Sequence, residues 1–281
     1  MTGRGTGDGA APDAPDALAA GHFTTVQVRD GLVQGRDLHL LRLRDASRTM
    51  YGGGPRKGEV RALVRQRLAA AGEAVRNCTL RILVRPVAGD PGPDAGAVFR
   101  PPFEYQPDSH AGTVPPAQRV DVEFGPPGEV PAGALRLRSH RGLREHPFVK
   151  HLATGPQLRA REAAVAAGFD DAVLVDADGR IAEGTFWNIA FWDGSVLTWP
   201  KAPALPGVTF WRLHMSLGQE GIPARRVPVG LGDLDGQRTA VALNSRGLRE
   251  IASIDGHAFP GDPGFVARLR ALLERDDWEA F

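Results

Sequence analysis

Apolar and polar residues follow two alternating patterns along this chain, and the patterns predict a mixture of short strands and helices. Strict alternation over residues 23–28 predicts a strand, and Asp30-Gly31 predicts a hairpin turn into Leu32-Val33. Apolar residues at helical spacing predict a helix over residues 57–74. The other predicted elements are a helix beginning at 39–46, strands at 80–84, 119–124 and 135–139, a helix near 156–167 ended by Gly168, a helix from Pro206-Gly207 through 217, a strand at 239–243 and a closing helix at 265–273.

These elements predict an α/β (α+β) fold in two lobes. Residues 126–133 are the best linker candidate. Residues 125–133 contain three prolines and three glycines, and the sequence before this segment differs in pattern from the sequence after it. We therefore predict a small domain at 21–125 and a large domain at 134–281, with the functional site where the two domains meet. Residues 1–20, rich in Gly, Ala, Asp and Pro, are predicted to be a mobile segment, and residues 89–116 a loop.

Charge and composition narrow the classes of partner. The 281 residues carry a formal net charge of +1, with both signs interspersed, so neither a nucleic-acid face nor a membrane anchor is expected. No apolar run is long enough to span a membrane, and no export signal is visible at the N-terminus. The one cysteine, Cys78, fits a reducing compartment and a buried apolar role. We expect a cytoplasmic globular protein.

Other common site patterns are absent from the sequence. The eight histidines show no His-Glu-x-x-His or paired-cysteine spacing, so no metal site is predicted. Gly3-Arg4-Gly5-Thr6-Gly7 does not follow a strand and fails as a dinucleotide fingerprint, and no Gly-x-Ser-x-Gly elbow occurs.

The scarcity of lysine directs attention to one position. Lys57, Lys150 and Lys201 are the only lysines among 34 basic residues. A guanidinium stays protonated and cannot form a Schiff base, whereas a partly desolvated amine can lose its proton and do so. Lys57 lies where a glycine-rich loop meets the predicted helix, and Lys201 lies in a predicted loop. Lys150 lies between an arginine-rich strand and a helix. A surface lysine is the alternative interpretation of Lys150.

Five motifs around and beyond Lys150 carry a resemblance to a known family. They are Lys150-His151-Leu152, Gly168-Phe169-Asp170-Asp171-Ala172, Asp178-Gly179, Glu183-Gly184-Thr185 with Asn188, and Leu205-Pro206-Gly207-Val208-Thr209. Their order and spacing resemble the class IV aminotransferases, over roughly residues 23–256. These are pyridoxal 5'-phosphate enzymes of fold type IV, and they include branched-chain and D-amino-acid aminotransferases and aminodeoxychorismate lyase. The resemblance implies a small N-terminal α/β lobe and a larger C-terminal lobe with a mixed β core.

The resemblance also implies a role for each matching residue. Lys150 would hold the coenzyme as a Schiff base and shuttle a proton, and Glu183 would keep the pyridine nitrogen protonated. Arg42, in the His-Leu-x-Arg-Leu pattern, would bind the phosphate together with the residues at a helix N-terminus. Those phosphate residues are Gly207, Val208 and Thr209, with Asn244 and Ser245 as a second phosphate loop; Asn188 would order the loop after Glu183, or serve only as a turn residue.

Substrate contacts are less defined by the motifs. Thr24 stands where a glutamate is common in the family, and His151 follows the lysine directly. Arg141 and Arg144 belong to a basic run over 136–144 that is either a solvated strand and loop or a carboxylate-binding segment near Lys150. The glycine-rich segment before the first matched strand is missing, and Gly155 stands where branched-chain enzymes place a tyrosine. The substrate is therefore not predicted.

Three functions remain open at the level of sequence. Transamination between an amino acid or amine and a 2-oxo acid is the leading prediction. A lyase of the aminodeoxychorismate type is suggested by Thr24-Thr25, Lys150-His151-Leu152 and Asn244-Ser245. A non-catalytic coenzyme-binding protein is the third, although the presence of Lys150 and Glu183 argues against it. The resemblance further implies a homodimer acting on a small molecule.

Overall fold

The structure, a computed structural model, describes residues 20–87, 97–100, 115–275 and 277–281. In these ranges the α-helices are α1 (Arg36–Tyr51), α2 (Lys57–Ala71), α3 (Gly155–Ala166), α4 (Val208–Gln219) and α5 (Pro263–Arg275). The strands are β1 (His22–Val28), β2 (Val33–Gln34), β3 (Cys78–Pro86), β4 (Val98–Phe99), β5 (Gln118–Gly125), β6 (Leu135–Arg141), β7 (Asp171–Val175), β8 (Ile181–Gly184), β9 (Asn188–Trp192), β10 (Leu197–Pro200), β11 (Ala224–Val227), β12 (Thr239–Asn244), β13 (Gly247–Ile254), β14 (His257–Ala258) and β15 (Trp278–Glu279). The predicted mobile segment, apart from Ala20, and most of the predicted loop 89–116 lie outside the described residues. None of the described helices has both the length and the apolar character needed to cross a membrane.

The first sheet separates an apolar face from a polar one. Its four strands pair in the order β1-β3-β5-β4, all antiparallel. Alternate residues such as Val26, Leu80 and Ile82 are buried in a core that includes side chains from α1 and α2. The intervening residues, among them Phe23 and Arg81, lie on the opposite face, which is less buried.

The second sheet is curled and mixed. Eight strands follow the order β11-β10-β9-β12-β13-β6-β7-β8, and β14 pairs with β13. The pairs β10–β11, β13–β6 and β6–β7 are parallel, and the other pairs are antiparallel. Buried residues of α4 and α5 form a core with residues of β9, β10, β12 and β13. The mixed α/β class predicted from the sequence is confirmed.

Helix α1 is longer than its pattern predicts, and glycines set both ends. The helix begins at Arg36, after Gly35 in the left-handed conformation (φ 66°), and stops at Gly52, which is also left-handed (φ 81°).

Helix α2 ends at Ala71, before the predicted end at residue 74, and a 3₁₀ turn over Gly72–Val75 follows. Such a turn satisfies some of the carbonyls at the helix end.

Two connections cross between the sheets. The chain before β1 meets the segment around Lys150, where the Leu152 N–H donates to the Gly21 carbonyl at 2.8 Å. The end of the chain returns to the first lobe: β15 pairs with β2, and the Phe281 side chain is buried in the first core.

The junction at Gly21 predicts a position-specific glycine requirement. Gly21 has φ 97°, and an added Cβ would lie 2.5 Å from the Val84 carbonyl oxygen. We expect Gly21→Ala to lower the free energy of unfolding by about 3 kcal/mol, from backbone strain plus this overlap.

Gly31→Ala is the matched control, because Gly31 also has positive φ (77°) but nothing within 4 Å of an added Cβ. We expect it to cost about 1 kcal/mol in the same urea titration. Equal losses for the two variants would show that the contact between Gly21 and Val84 is not restrictive.

Candidate functional site

A cavity of about 420 Å³ lies between the polar face of the first sheet and the second sheet. Ten residues singled out in the sequence line it: Arg42, Arg144, Lys150, Glu183, Asn188, Gly207, Val208, Thr209, Asn244 and Ser245. They come from segments more than two hundred positions apart in the chain. The fold therefore gathers most of the predicted site residues into one space.

Backbone pairing with the start of β1 fixes the position of Lys150. The Phe23 N–H donates to the Lys150 carbonyl at 2.9 Å, and His22 and His151 form an isolated antiparallel bridge. The segment that carries the lysine is thus tied to the first sheet. Lys150 Nζ lies 4.8 Å from the centroid of the Phe23 ring, within the range of a cation–π contact.

Lys150 is surrounded by more positive than negative charge. Burial, followed by the positive charges of Arg42 and Arg144, lowers the pKa of Lys150 to about 7. The carboxylate of Glu183 acts in the opposite direction. The amine is consequently neutral in a large fraction of molecules near pH 7, which is the state in which it can act as a nucleophile or a base.

Glu183 is the buried carboxyl of the cavity. It lies on β8 and is 3% exposed, and among the described residues its Oε1 atom has no hydrogen-bond partner. The Nε atom of Arg144, also buried, lies 3.6 Å from this oxygen. Burial raises the pKa of Glu183 to about 7, while the charge of Arg144 and the Leu205 backbone act to lower it. An unsatisfied buried oxygen beside a cavity can receive a donor from a bound molecule.

The turn after Glu183 is held by a buried carboxylate. Asp171 accepts hydrogen bonds from the Thr185 hydroxyl at 2.7 Å and from Trp187 Nε1 at 3.0 Å. The indole ring lies over Gly184, where an added Cβ would be 1.9 Å from a ring atom. Glycine is therefore required in Glu183-Gly184-Thr185 because the Trp187 ring occupies the space of a side chain.

The N-terminus of α4 forms another wall of the cavity. Its N-cap residue, Gly207, makes no side-chain cap, and an added Cβ there would lie 2.1 Å from Asn188 Oδ1. The Asn188 side chain accepts from the Gly207 N–H and donates to the Leu205 carbonyl. The Thr209 hydroxyl donates to the Asn244 carbonyl at 2.8 Å, which joins the helix start to the end of β12. Free amide groups at a helix start favour a bound anion.

Asn188 thus orders the loop before α4, rather than the turn after Glu183. The sequence suggested the turn because Asn188 follows Glu183 closely in the chain. The structure instead links Asn188 to Leu205 and Gly207, which are 17 and 19 residues further along.

Helix α1 supplies two polar side chains to the same cavity, Arg42 and His39. Arg42 Nε is buried and has no hydrogen-bond partner in the part of the chain that the structure describes. Burial together with the charge of Arg144 lowers the pKa of Arg42 to about 10. A buried guanidinium with an unsatisfied nitrogen is suited to bind an anion from the cavity.

Three predicted site residues do not line the cavity. Thr24 faces the helices, where its hydroxyl lies 2.6 Å from His39 Nδ1, and its neighbours Phe23 and Thr25 face the cavity instead. Arg141 is exposed and donates to the Ala177 carbonyl, and His151 Nε2 pairs with the Glu145 carbonyl. For Thr24 the reason is strand alternation, since consecutive side chains point to opposite faces.

Several lining residues were not singled out from the sequence. Phe23, Thr25 and Arg81 come from the first sheet, and the Arg81 guanidinium lies 4.8 Å from the centroid of the Phe23 ring. The period-2 pattern of β1 could have found Phe23 and Thr25, once the buried face was known. Asp171 and His39 also line the cavity; both stand in motifs named from the sequence but were given no role in the site. Other lining residues missed are Phe186, Trp187, Arg246 and Arg249.

The chain resembles known proteins in sequence and in fold. The sequence model of the family described as amino-transferase class IV matches residues 21–254. No curated protein matches the chain. Among solved structures, a 4-amino-4-deoxychorismate lyase from Pseudomonas aeruginosa is similar (22% identity, 97% of each chain, TM-score 0.69). So is a branched-chain aminotransferase from Thermoproteus uzoniensis with norvaline (19% identity, 92% of this chain and 85% of that one, TM-score 0.74).

A third similar structure is the pyridoxal-phosphate-bound form of a hypothetical aminotransferase from Mycobacterium tuberculosis (20% identity, 96% of this chain and 94% of that one, TM-score 0.68). At these identities the three structures establish the shared fold. The two-lobed architecture expected from the sequence motifs is confirmed.

The charges around Lys150 predict its titration. The amine should be protonated below about pH 7 and neutral above it, because burial and the charges of Arg42 and Arg144 disfavour the cation. We expect the ¹³Cε shift of Lys150 in lysine-labelled protein to titrate with a midpoint near 7, and Lys150→Met to remove that resonance. Arg42→Met should raise the midpoint, since it removes a nearby positive charge.

Arg141→Met is the control for this experiment, because it removes an exposed arginine outside the cavity. The same upward shift in both variants would mean that net charge, and not the local charge of Arg42, sets the pKa of Lys150.

Proposed function

This chain belongs to the class IV aminotransferase family, and from that premise we propose that it is an aminotransferase acting between an amino acid or amine and a 2-oxo acid. The family match covers residues 21–254, and the cofactor of the family is pyridoxal phosphate. The observation that carries the proposal is the pairing of a buried amine of lowered pKa, Lys150, with a buried carboxyl, Glu183, in one cavity.

The residues present fit the cofactor. Oε1 of Glu183 and Nε of Arg42 are buried and lack partners within the described ranges, so Oε1 can accept one more hydrogen bond and Nε can donate one. The N-cap residue of α4, Gly207, makes no side-chain cap hydrogen bond. We propose that Lys150 holds the coenzyme covalently, that Glu183 binds its pyridine nitrogen, and that Arg42 with 207–209 and 244–245 binds its phosphate.

When bound, the coenzyme withdraws electrons from the substrate carbon that must lose a proton. The Lys150 amine, neutral above about pH 7, can accept that proton at Nζ and return it within the cavity. Arg144 holds the Glu183 carboxyl in place and favours its charged form. The Phe23 ring, whose centroid lies 4.8 Å from Nζ, is an apolar neighbour of this amine.

A lyase of the aminodeoxychorismate type is the second candidate. Lys150-His151-Leu152 and Asn244-Ser245 support it as sequence features. The third such feature, Thr24-Thr25, gives weaker support because Thr24 faces away from the cavity, although Thr25 lines it. We favour transamination because it is the commoner chemistry of the family and because Glu183 provides the carboxylate it requires.

We also propose that the enzyme works as a homodimer in the cytoplasm on a small amino or oxo acid. The dimer rests on the resemblance to the family, which builds each site with help from the neighbouring subunit. A reducing compartment is supported by Cys78, which is free and buried. Sedimentation of the purified protein at several concentrations tests the dimer, and a monomer throughout would contradict it.

Covalent attachment of the coenzyme should occur at Lys150. Lys150 lines the cavity, whereas Lys57 and Lys201 do not, as far as the described residues show. We expect borohydride reduction of the coenzyme-loaded protein, followed by peptide mapping, to place the label on Lys150. We expect Lys150→Ala to lose both the label and the yellow colour of the bound coenzyme. Its circular dichroism spectrum should match that of the unmodified protein, which would show that the fold is kept.

Lys201→Ala is the matched control and should keep both the label and the colour. Label on Lys57 or Lys201 in the unmodified sequence would contradict the assignment of Lys150.

The reaction class can be tested by a half-reaction. A transaminase leaves the amino group on the coenzyme when no oxo acid is supplied, whereas a lyase regenerates the starting form. We expect at least one member of a panel of L- and D-amino acids to convert the bound coenzyme stoichiometrically to pyridoxamine phosphate, measured by chromatography after denaturation.

No conversion across the panel, together with release of pyruvate and aminobenzoate from aminodeoxychorismate, would replace the transaminase by the lyase. Retained coenzyme with neither reaction would favour the non-catalytic protein.

A further inference from the structure

One buried histidine of the cavity has a ring nitrogen with no assigned use. His39 lies on α1, is 5% exposed and lines the cavity. Its Nδ1 atom is 2.6 Å from the Thr24 hydroxyl. Within the described residues, this is the one hydrogen bond found for the His39 side chain, so Nε2 is left for another partner. A polar atom left in this state at the edge of a cavity is suited to a bound molecule.

The contact with Thr24 decides which nitrogen of His39 carries the proton. The Thr24 side chain is fully buried, and His39 Nδ1 is the one partner of its hydroxyl in the described part of the chain. If Nδ1 carried the proton, the Thr24 hydroxyl would have no acceptor, which is costly for a buried donor. The hydroxyl therefore donates to Nδ1, and the proton of the neutral ring is on Nε2.

His39 stays neutral in this environment. Burial lowers the pKa of His39 well below its usual value, and the positive charges of Arg42, Arg212 and Lys150 lower it further. An Nε2–H group on a neutral ring gives the cavity a hydrogen-bond donor without adding another buried charge.

The position of α1 brings His39 to the proposed anion site. His39 and Arg42 are three residues apart and share one face of the helix. The α1 N-cap, Gly35, contacts α4: an added Cβ would lie 3.1 Å from Val208 and 3.0 Å from Arg212. The first turns of α1 and α4 therefore meet, and both contribute to the cavity wall.

We propose that His39 donates its Nε2–H to the phosphate of pyridoxal phosphate, and that Thr24 is the positioning residue that holds the ring in this tautomer. This inference rests on the coenzyme site proposed above. It gives the phosphate a neutral donor beside the charged Arg42 and the amides at the start of α4. It also gives a function to the buried hydroxyl of Thr24, which does not line the cavity.

The test compares affinity for pyridoxal phosphate with affinity for pyridoxal, which lacks the phosphate. A residue that contacts the phosphate affects only the first, whereas a residue that shapes the cavity affects both. We expect His39→Phe to weaken binding of pyridoxal phosphate about 10- to 100-fold, as for loss of a hydrogen bond to a charged group, and to leave pyridoxal binding nearly unchanged. His39→Gln, whose amide nitrogen can replace Nε2, should keep most of the preference for the phosphate form.

A second measurement reports on the tautomer directly. In protein labelled with ¹⁵N-histidine, the His39 signals, assigned by their loss in His39→Gln, should show Nε2 protonated and Nδ1 unprotonated. Adding pyridoxal phosphate should shift the Nε2 signal more than the Nδ1 signal. If His39→Phe does not fold, His39→Gln and the nitrogen shifts still decide the question.

The outcomes separate this inference from the site on which it rests. Equal weakening of both ligands by His39→Phe, or a proton on Nδ1, would overturn the role of His39. If Arg42→Ala removes the preference for the phosphate form and His39→Phe does not, the phosphate site stands without His39. If the unmodified protein binds both ligands equally, the proposed phosphate site itself is wrong.

Discussion

The site depends on concentrating positive charge in a place with little water. Lys150, Arg42 and Arg144 line one cavity, and Glu183 is the carboxyl beside them. Buried charge without a partner is unfavourable, and this lowers the pKa of the Lys150 amine. The same excess of positive charge favours an anionic ligand. The lowered pKa of Lys150 and the proposed phosphate site thus have one common cause.

Such an arrangement needs rigid support, because the charges repel one another and the open cavity contributes no packing. The support is local and mostly polar. Asp171 ties Thr185 and Trp187 together behind Glu183, and Asn188 fixes the loop that leads to α4. Glycines stand where these side chains approach the backbone most closely, at positions 184 and 207. Functional groups held by packed neighbours keep their geometry when a ligand binds.

The sequence predicted much of the fold, and most of the candidate residues that it singled out line the cavity. Glycine-containing motifs were informative because they mark the places where backbone and side chain approach closely. It failed where the outcome depends on packing between distant segments. Strand β1 was predicted, but its buried face was not, so Thr24 was expected to contact substrate where Phe23 and Thr25 line the cavity. Asn188 was expected to order the loop after Glu183 or to serve only as a turn residue, whereas its side chain bonds to Leu205 and Gly207. The return of Phe281 to the first core has no local pattern at all.

That return affects how the protein can be made. The Arg36 N–H at the start of α1 donates to the carboxylate of Glu279, which lies 243 residues later in the chain. Phe281 is buried in the core of the first lobe. A ribosome releases the N-terminal lobe long before these residues emerge. The core of this lobe therefore stays incomplete while the second sheet is synthesised, and residues 278–281 complete it. Contacts of such long sequence separation slow folding and prolong the exposure of apolar surface during synthesis.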